Sequence, residues 1–130
     1  MVDSLKVTAE KIRALQVQGA RNVAIAAIQA LQTLAEQSKS KNKKTFLAEL
    51  KEAQTILFAS RETEPLMRNA IRYLLIQVLN QETQKVDELR QIVNTNASQF
   101  LKDLDASRER TAEIGAKRIK DGSTVFTHCH

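Results

Sequence analysis

The chain has 130 residues, of which 42% are apolar and 27% charged, with 20 Lys and Arg against 15 Asp and Glu, a net charge of +5. Three Gly, one Pro and 4% aromatics exclude a turn-rich β-sandwich and a Pro/Gly-rich disordered chain, and leave one all-α domain's worth of soluble sequence. No run of about 18 apolar residues is present to span a bilayer, and Met1–Lys11 lacks the apolar core of a signal peptide.

A first helix is expected from Leu5 to Val17, capped by Asp3 or Ser4, with Leu5, Thr8, Ile12 and Leu15 on one face. Gly19 interrupts it. A second helix follows from Ala20 to Gln37, with Val23, Ala27, Leu31 and Leu34 at 3–4 spacing. Alanines at 24, 26, 27 and 30 allow another backbone to approach closely. Residues 38–44 read as a lysine-rich, solvated loop. Thr45 is expected to cap a third helix from Phe46 to Ala59, with Phe46, Leu50, Ala53 and Leu57 inward.

Ser60-Arg61-Glu62-Thr63-Glu64-Pro65 breaks that helix, and Pro65 suits the first turn of a fourth one. The fourth carries Leu66, Ala70, Ile71, Leu74, Leu75 and Val78 and ends near Asn80. From Thr83 to Lys120 a single long helix is expected, with an apolar stripe through Val86, Leu89, Val93, Ala97, Phe100, Leu104, Thr111, Ile114 and Ala116. Gly122 is placed to stop it. Residues 123–130, Ser-Thr-Val-Phe-Thr-His-Cys-His, are β-branched and aromatic and read as a strand. No second strand is legible to pair with it. The expected organisation is therefore a helical domain over 1–122, with 123–130 opening a truncated α/β domain.

Few residues can carry chemistry. His128 and His130 would share one face of a strand and Cys129 the other. Zinc needs at least three protein ligands, and the chain has no other His or Cys, so no metal and no cofactor is expected. Gln18-Gly19-Ala20-Arg21 opens a helix, where free N–H groups favour an anion, although a ligand-free corner between helices serves as well. Arg61 offers a planar fork that matches phosphate, or a surface ion-pair partner. A single Cys fits a reducing cytoplasm. Scattered aromatics give no platform for stacked bases, so direct nucleic-acid binding is not expected.

Gln18-Gly19-Ala20 before an Ala-rich helix, Ser60–Pro65 followed by Asn69-Ala70-Ile71-Arg72-Tyr73, and Gly115-Ala116-Lys117-Arg118-Ile119-Lys120-Asp121-Gly122 leading to Thr127-His128-Cys129-His130 occur in that order. Together they resemble the N-terminal part of the archaeal ribose 1,5-bisphosphate isomerases. These share a superfamily with methylthioribose 1-phosphate isomerases and the regulatory subunits of initiation factor 2B. The resemblance covers nearly the whole chain. It implies a helical domain followed by a Rossmann-like one, with an aldose–ketose isomerase site between them that feeds nucleoside breakdown.

By that resemblance Cys129 is the catalytic acid–base residue, with an Asp partner in the second domain. Gln18, Gly19, Ala20, Arg21 and Arg61 hold substrate phosphate. Gln18 stands where the family has Arg, and Glu62 where it has Pro. These departures motivate an alternative: a regulatory subunit that binds a nucleotide or sugar phosphate and the initiation factor 2 α-subunit. The resemblance also implies a homo-oligomer in the intact protein and a possible nucleotide effector.

Overall fold

The computed structural model describes residues 2–128. They contain five helices: α1 (Val2–Arg13), α2 (Ala20–Gln37), α3 (Lys43–Ser60), α4 (Pro65–Leu79) and α5 (Val86–Ala116). They cluster as two compact units, one up to Phe100 and one from Leu101 on.

In the first unit α2 is the central element, packing against α1, α3 and α4. Its buried stripe combines Val23, Ile28, Leu31 and Leu34 with Ala24, Ala27, Ala30 and Ala35. The alanines keep the face flat, so neighbouring helices come close. α1 contributes Leu5, Ala9 and Ile12, and α3 contributes Phe46, Leu50, Ala53 and Leu57. α4 seals the group with Met67, Ala70, Ile71, Leu74 and Val78. Each fully buried large side chain stabilises the fold by about 1.5–3 kcal/mol. The start of α5 adds Val86, Leu89, Val93 and Ala97.

Polar contacts tie α5 to this core. Arg90 donates to the carbonyls of Ala35, at 3.0 Å, and Ser38 just past the end of α2, and its other nitrogen pairs with Asp87 at 2.5 Å. Those carbonyls have no intrahelical partner, so the guanidinium finishes α2. The Tyr73 hydroxyl donates to Asn96 at 3.1 Å, and its ring lies 5.7 Å from Phe100.

Several expected boundaries move. α1 ends at Arg13 rather than Val17, for reasons given below. Asn42, not Thr45, caps α3: its Oδ1 accepts from the Thr45 backbone N–H at 3.0 Å, so the helix starts at Lys43 inside the lysine-rich segment. The lysine there is not idle, since Lys43 Nζ donates to the carbonyls of Leu79, at 2.9 Å, and Gln81 at the end of α4. Pro65 does open α4.

The second unit differs from expectation at its end. α5 stops at Ala116, and the chain tightens into i→i+3 turns through Arg118 and Ile119. Gly122 (φ +81°) belongs to a separate turn, in which Ser123 N–H reaches Lys120 O at 3.0 Å. That turn needs a left-handed residue at its third position, so Gly122 shapes the turn and does not stop the helix. Residues 123–128 form no strand. A strand needs a ladder partner, and none exists among the described residues.

Candidate functional site

The corner between α1 and α2 is built without a glycine at the helix end. Leu15 adopts φ +59°. Its N–H reaches Ile12 O at 3.2 Å, and Gln16 N–H reaches Lys11 O at 2.9 Å. This is the paired closure usually made around a left-handed glycine. Because Leu15 fills that role, residue type hides the end of α1.

Gln18 then turns its side chain back, donating from Nε2 to Leu15 O at 2.8 Å. Gly19 (φ +86°) reverses the chain, and its carbonyl accepts the first α2 bond, from Val23 N–H at 3.0 Å. No side chain caps α2, and its first turn contains no acid. It contains Arg21 instead. A helix N-terminus carries partial positive charge, which a capping oxygen or carboxylate normally offsets. Adding a cation to an uncapped end makes this corner attractive to an anion.

The α3–α4 turn holds Arg61. Ser60 is buried, and its hydroxyl donates to Leu57 O at 2.5 Å. Arg68 pins the turn from both sides: Nε donates to Glu62 O at 2.9 Å and Nη2 to Phe58 O at 3.3 Å, while its guanidinium stacks 4.5 Å over the Phe58 ring. Arg61 pairs with Glu64 at 3.6 Å, the two side chains being 30% and 14% exposed. Its Nη1 is buried with no hydrogen-bond partner. A desolvated guanidinium donor left unsatisfied is costly, so Arg61 retains unused capacity for an acceptor. The acid beside it is Glu64. Glu62, the departure visible in the sequence, contributes its backbone carbonyl to Arg68 and is itself exposed.

The structure therefore places Gln18, Gly19, Ala20 and Arg21 together at one corner and Arg61 on a separate, rigid turn. Gln18 and Arg61 each draw a polar contact from their own segment. In the sequence Arg68 reads as a member of the charged cluster that follows Arg61; its clamping of the turn leaves no pattern in residue type, because it binds backbone carbonyls. Cys129 and His130 lie outside the described residues. His128 is exposed. Among the described residues no group of three His, Cys, Asp or Glu side chains could hold a metal ion, and no helix is long and apolar enough to cross a membrane.

Comparison with known proteins shows the family. Residues 16–130 match the initiation factor 2 subunit family. The chain belongs to that family. Among curated members, the ribose 1,5-bisphosphate isomerases of Thermococcus kodakarensis and Pyrococcus furiosus are 38% and 40% identical over 124 residues, 94% of this chain and 38% of each relative. The methylthioribose-1-phosphate isomerase of Desulforamulus reducens is 29% identical, over 92% of this chain and 34% of its own length. The chain thus spans little more than a third of the family relatives it matches. A crystal structure of 5-methylthioribose 1-phosphate isomerase from Pyrococcus horikoshii superposes with a TM-score of 0.71 at 27% identity, covering 76% of this chain and 28% of that one.

Proposed function

We propose that this chain is the helical N-terminal domain of a sugar-phosphate isomerase that converts ribose 1,5-bisphosphate to ribulose 1,5-bisphosphate. In this reading residues 1–122 are the domain, and 123–130 lead into a Rossmann-like domain that shares the active site. The observation that carries it is the α2 N-terminus, uncapped and reinforced by Arg21. Such an end suits a phosphate dianion. Arg61, with its unused Nη1, supplies a second phosphate contact.

Moving a carbonyl between adjacent carbons requires hydrogen to leave one and arrive at the other, assisted by an acid and a base. Cys129 is assigned one of those roles and a carboxylate of the second domain the other. A homo-oligomer and a nucleotide effector belong to the same reading, and a cytoplasmic setting fits a chain with a single cysteine.

The test is turnover of ribose 1,5-bisphosphate by the native protein recovered from its source cells, beside its Cys129→Ser variant. Ketose formation that falls by roughly 10²–10⁴-fold in the variant is the expected result. Undiminished turnover in Cys129→Ser removes Cys129 from the chemistry.

One observation favours a second reading. Gln18 is uncharged and tied to Leu15 O, and Arg61 is already beside Glu64, so two phosphate-facing positions are weakened. A regulatory subunit that binds a nucleotide or sugar phosphate and the initiation factor 2 α-subunit fits that weakening. Tight binding of the α-subunit with no isomerase turnover would select it.

A further inference from the structure

The α3–α4 pair carries an apolar cleft of about 230 Å³ on the face turned away from the core. Leu47, Leu75, Ile76 and Leu79 line its walls. Ile76 and Leu79 are 50% and 54% exposed, on a helix whose Met67, Ile71, Leu74 and Val78 are buried. Lys51, Gln54 and Arg72 complete the lining. Neither cationic side chain makes a hydrogen bond or ion pair among the described residues; the Arg72 guanidinium only stacks 5.3 Å over Phe58. α4 contains no Asp or Glu at all. Surface cations are ordinarily balanced by nearby carboxylates, and here apolar side chains and unpaired cations sit side by side.

We propose that this cleft is a docking site for an amphipathic helix of a protein partner, one that presents Leu- or Ile-type side chains flanked by Asp or Glu. The dimensions fit. Arg72 to Leu79 is seven residues, about 10 Å of helix axis, which matches partner anchors at i, i+4 and i+7. The carboxylates meet Lys51 and Arg72, which supply orientation and encounter rate while the apolar contact supplies most of the affinity. A second copy docked by the same face would bring these cations against each other, which argues against self-association. A concave cleft between two helices also suits a helix better than the flat surface of a bilayer.

The experiment uses the 130-residue chain and two fluorescent helical peptides with one Leu stripe, flanked by Glu in the first and by Lys in the second. Fluorescence anisotropy should show binding of the Glu peptide at least roughly tenfold tighter than the Lys peptide. Lys51→Glu with Arg72→Glu should reverse that order. Ile76→Ser with Leu79→Ser should abolish both, with an unchanged circular dichroism spectrum, since both side chains are half exposed. Equal binding of the two peptides, or no binding of either, overturns the proposal. So does binding of phosphatidylserine vesicles without the Glu peptide, which assigns the face to a membrane. A mass that doubles with concentration in the parent and not in Ile76→Ser/Leu79→Ser overturns it in favour of a second copy.

Discussion

Along α5, Leu89, Val93 and Ala97 are sealed at 0–1% exposure, whereas Leu101 and Leu104 are only partly covered and Ile114 is 44% exposed. The same 3–4 spacing runs through both stretches. Beyond the helix the contrast widens, with Phe126 at 89%. Up to Phe100, burial holds the helices. From Leu101 on, local contacts do so: Arg110 pairs with Glu113 at 3.3 Å, and the Thr111 hydroxyl donates to Ser107 O at 2.8 Å. An i,i+3 ion pair such as Arg110–Glu113 contributes only about 0.2–0.5 kcal/mol. Periodicity reports the direction in which side chains point. Whether anything meets them is a property of the neighbours.

The sharpest way to break this comparison is to truncate one phenylalanine in each region. Phe46→Ala should cost about 3–5 kcal/mol in urea unfolding, since the ring is fully buried. Phe126→Ala should leave the urea midpoint where it was. Comparable losses from the two would mean that the second region shares the core. A smaller effect tests the seam at which α5 joins the first region. Arg90→Met removes donors to Ala35 O and Ser38 O and should cost about 1.5–3 kcal/mol. Hydrogen exchange should then quicken at the end of α2 before it changes in α1. The smallest effect concerns a residue of the first region that burial does not govern. Leu15 is 51% exposed and left-handed, so Leu15→Gly should stabilise the fold by about 0.5–1 kcal/mol despite the lost side chain. A fall in the urea midpoint would show that the Leu15 side chain matters more than its backbone.

These contrasts explain what could be read from residues alone. α2 and α4 were legible to within a residue because Gly19 and Pro65 mark their starts by stereochemistry. The end of α1 was not, because Leu15 does a glycine's work. The start of α3 was masked by lysines that look like loop and yet include the cap residue Asn42 and the tether Lys43. The candidate residues Gln18–Arg21 and Arg61 can be named from sequence, but their local contacts cannot. That Gln18 closes a helix end, that Glu64 is the acid beside Arg61, and that Arg68 clamps the turn all depend on backbone carbonyls, which a sequence does not distinguish.

The order of packing in the first unit bears on how fast it forms. α1 meets α2 and α3, α2 meets α3 and α4, and α3 meets α4, so each of these four helices pairs with one that is next or next but one along the chain, and only α5 reaches further back, from Arg90 to Ala35 and Ser38. Closing such short loops costs little entropy, since loop closure grows only slowly with length. Chains dominated by local helical contacts fold in about microseconds to milliseconds. The core is therefore assembled by a short search and exposes its apolar stripes only briefly, however long any later partner of the open cleft takes to arrive.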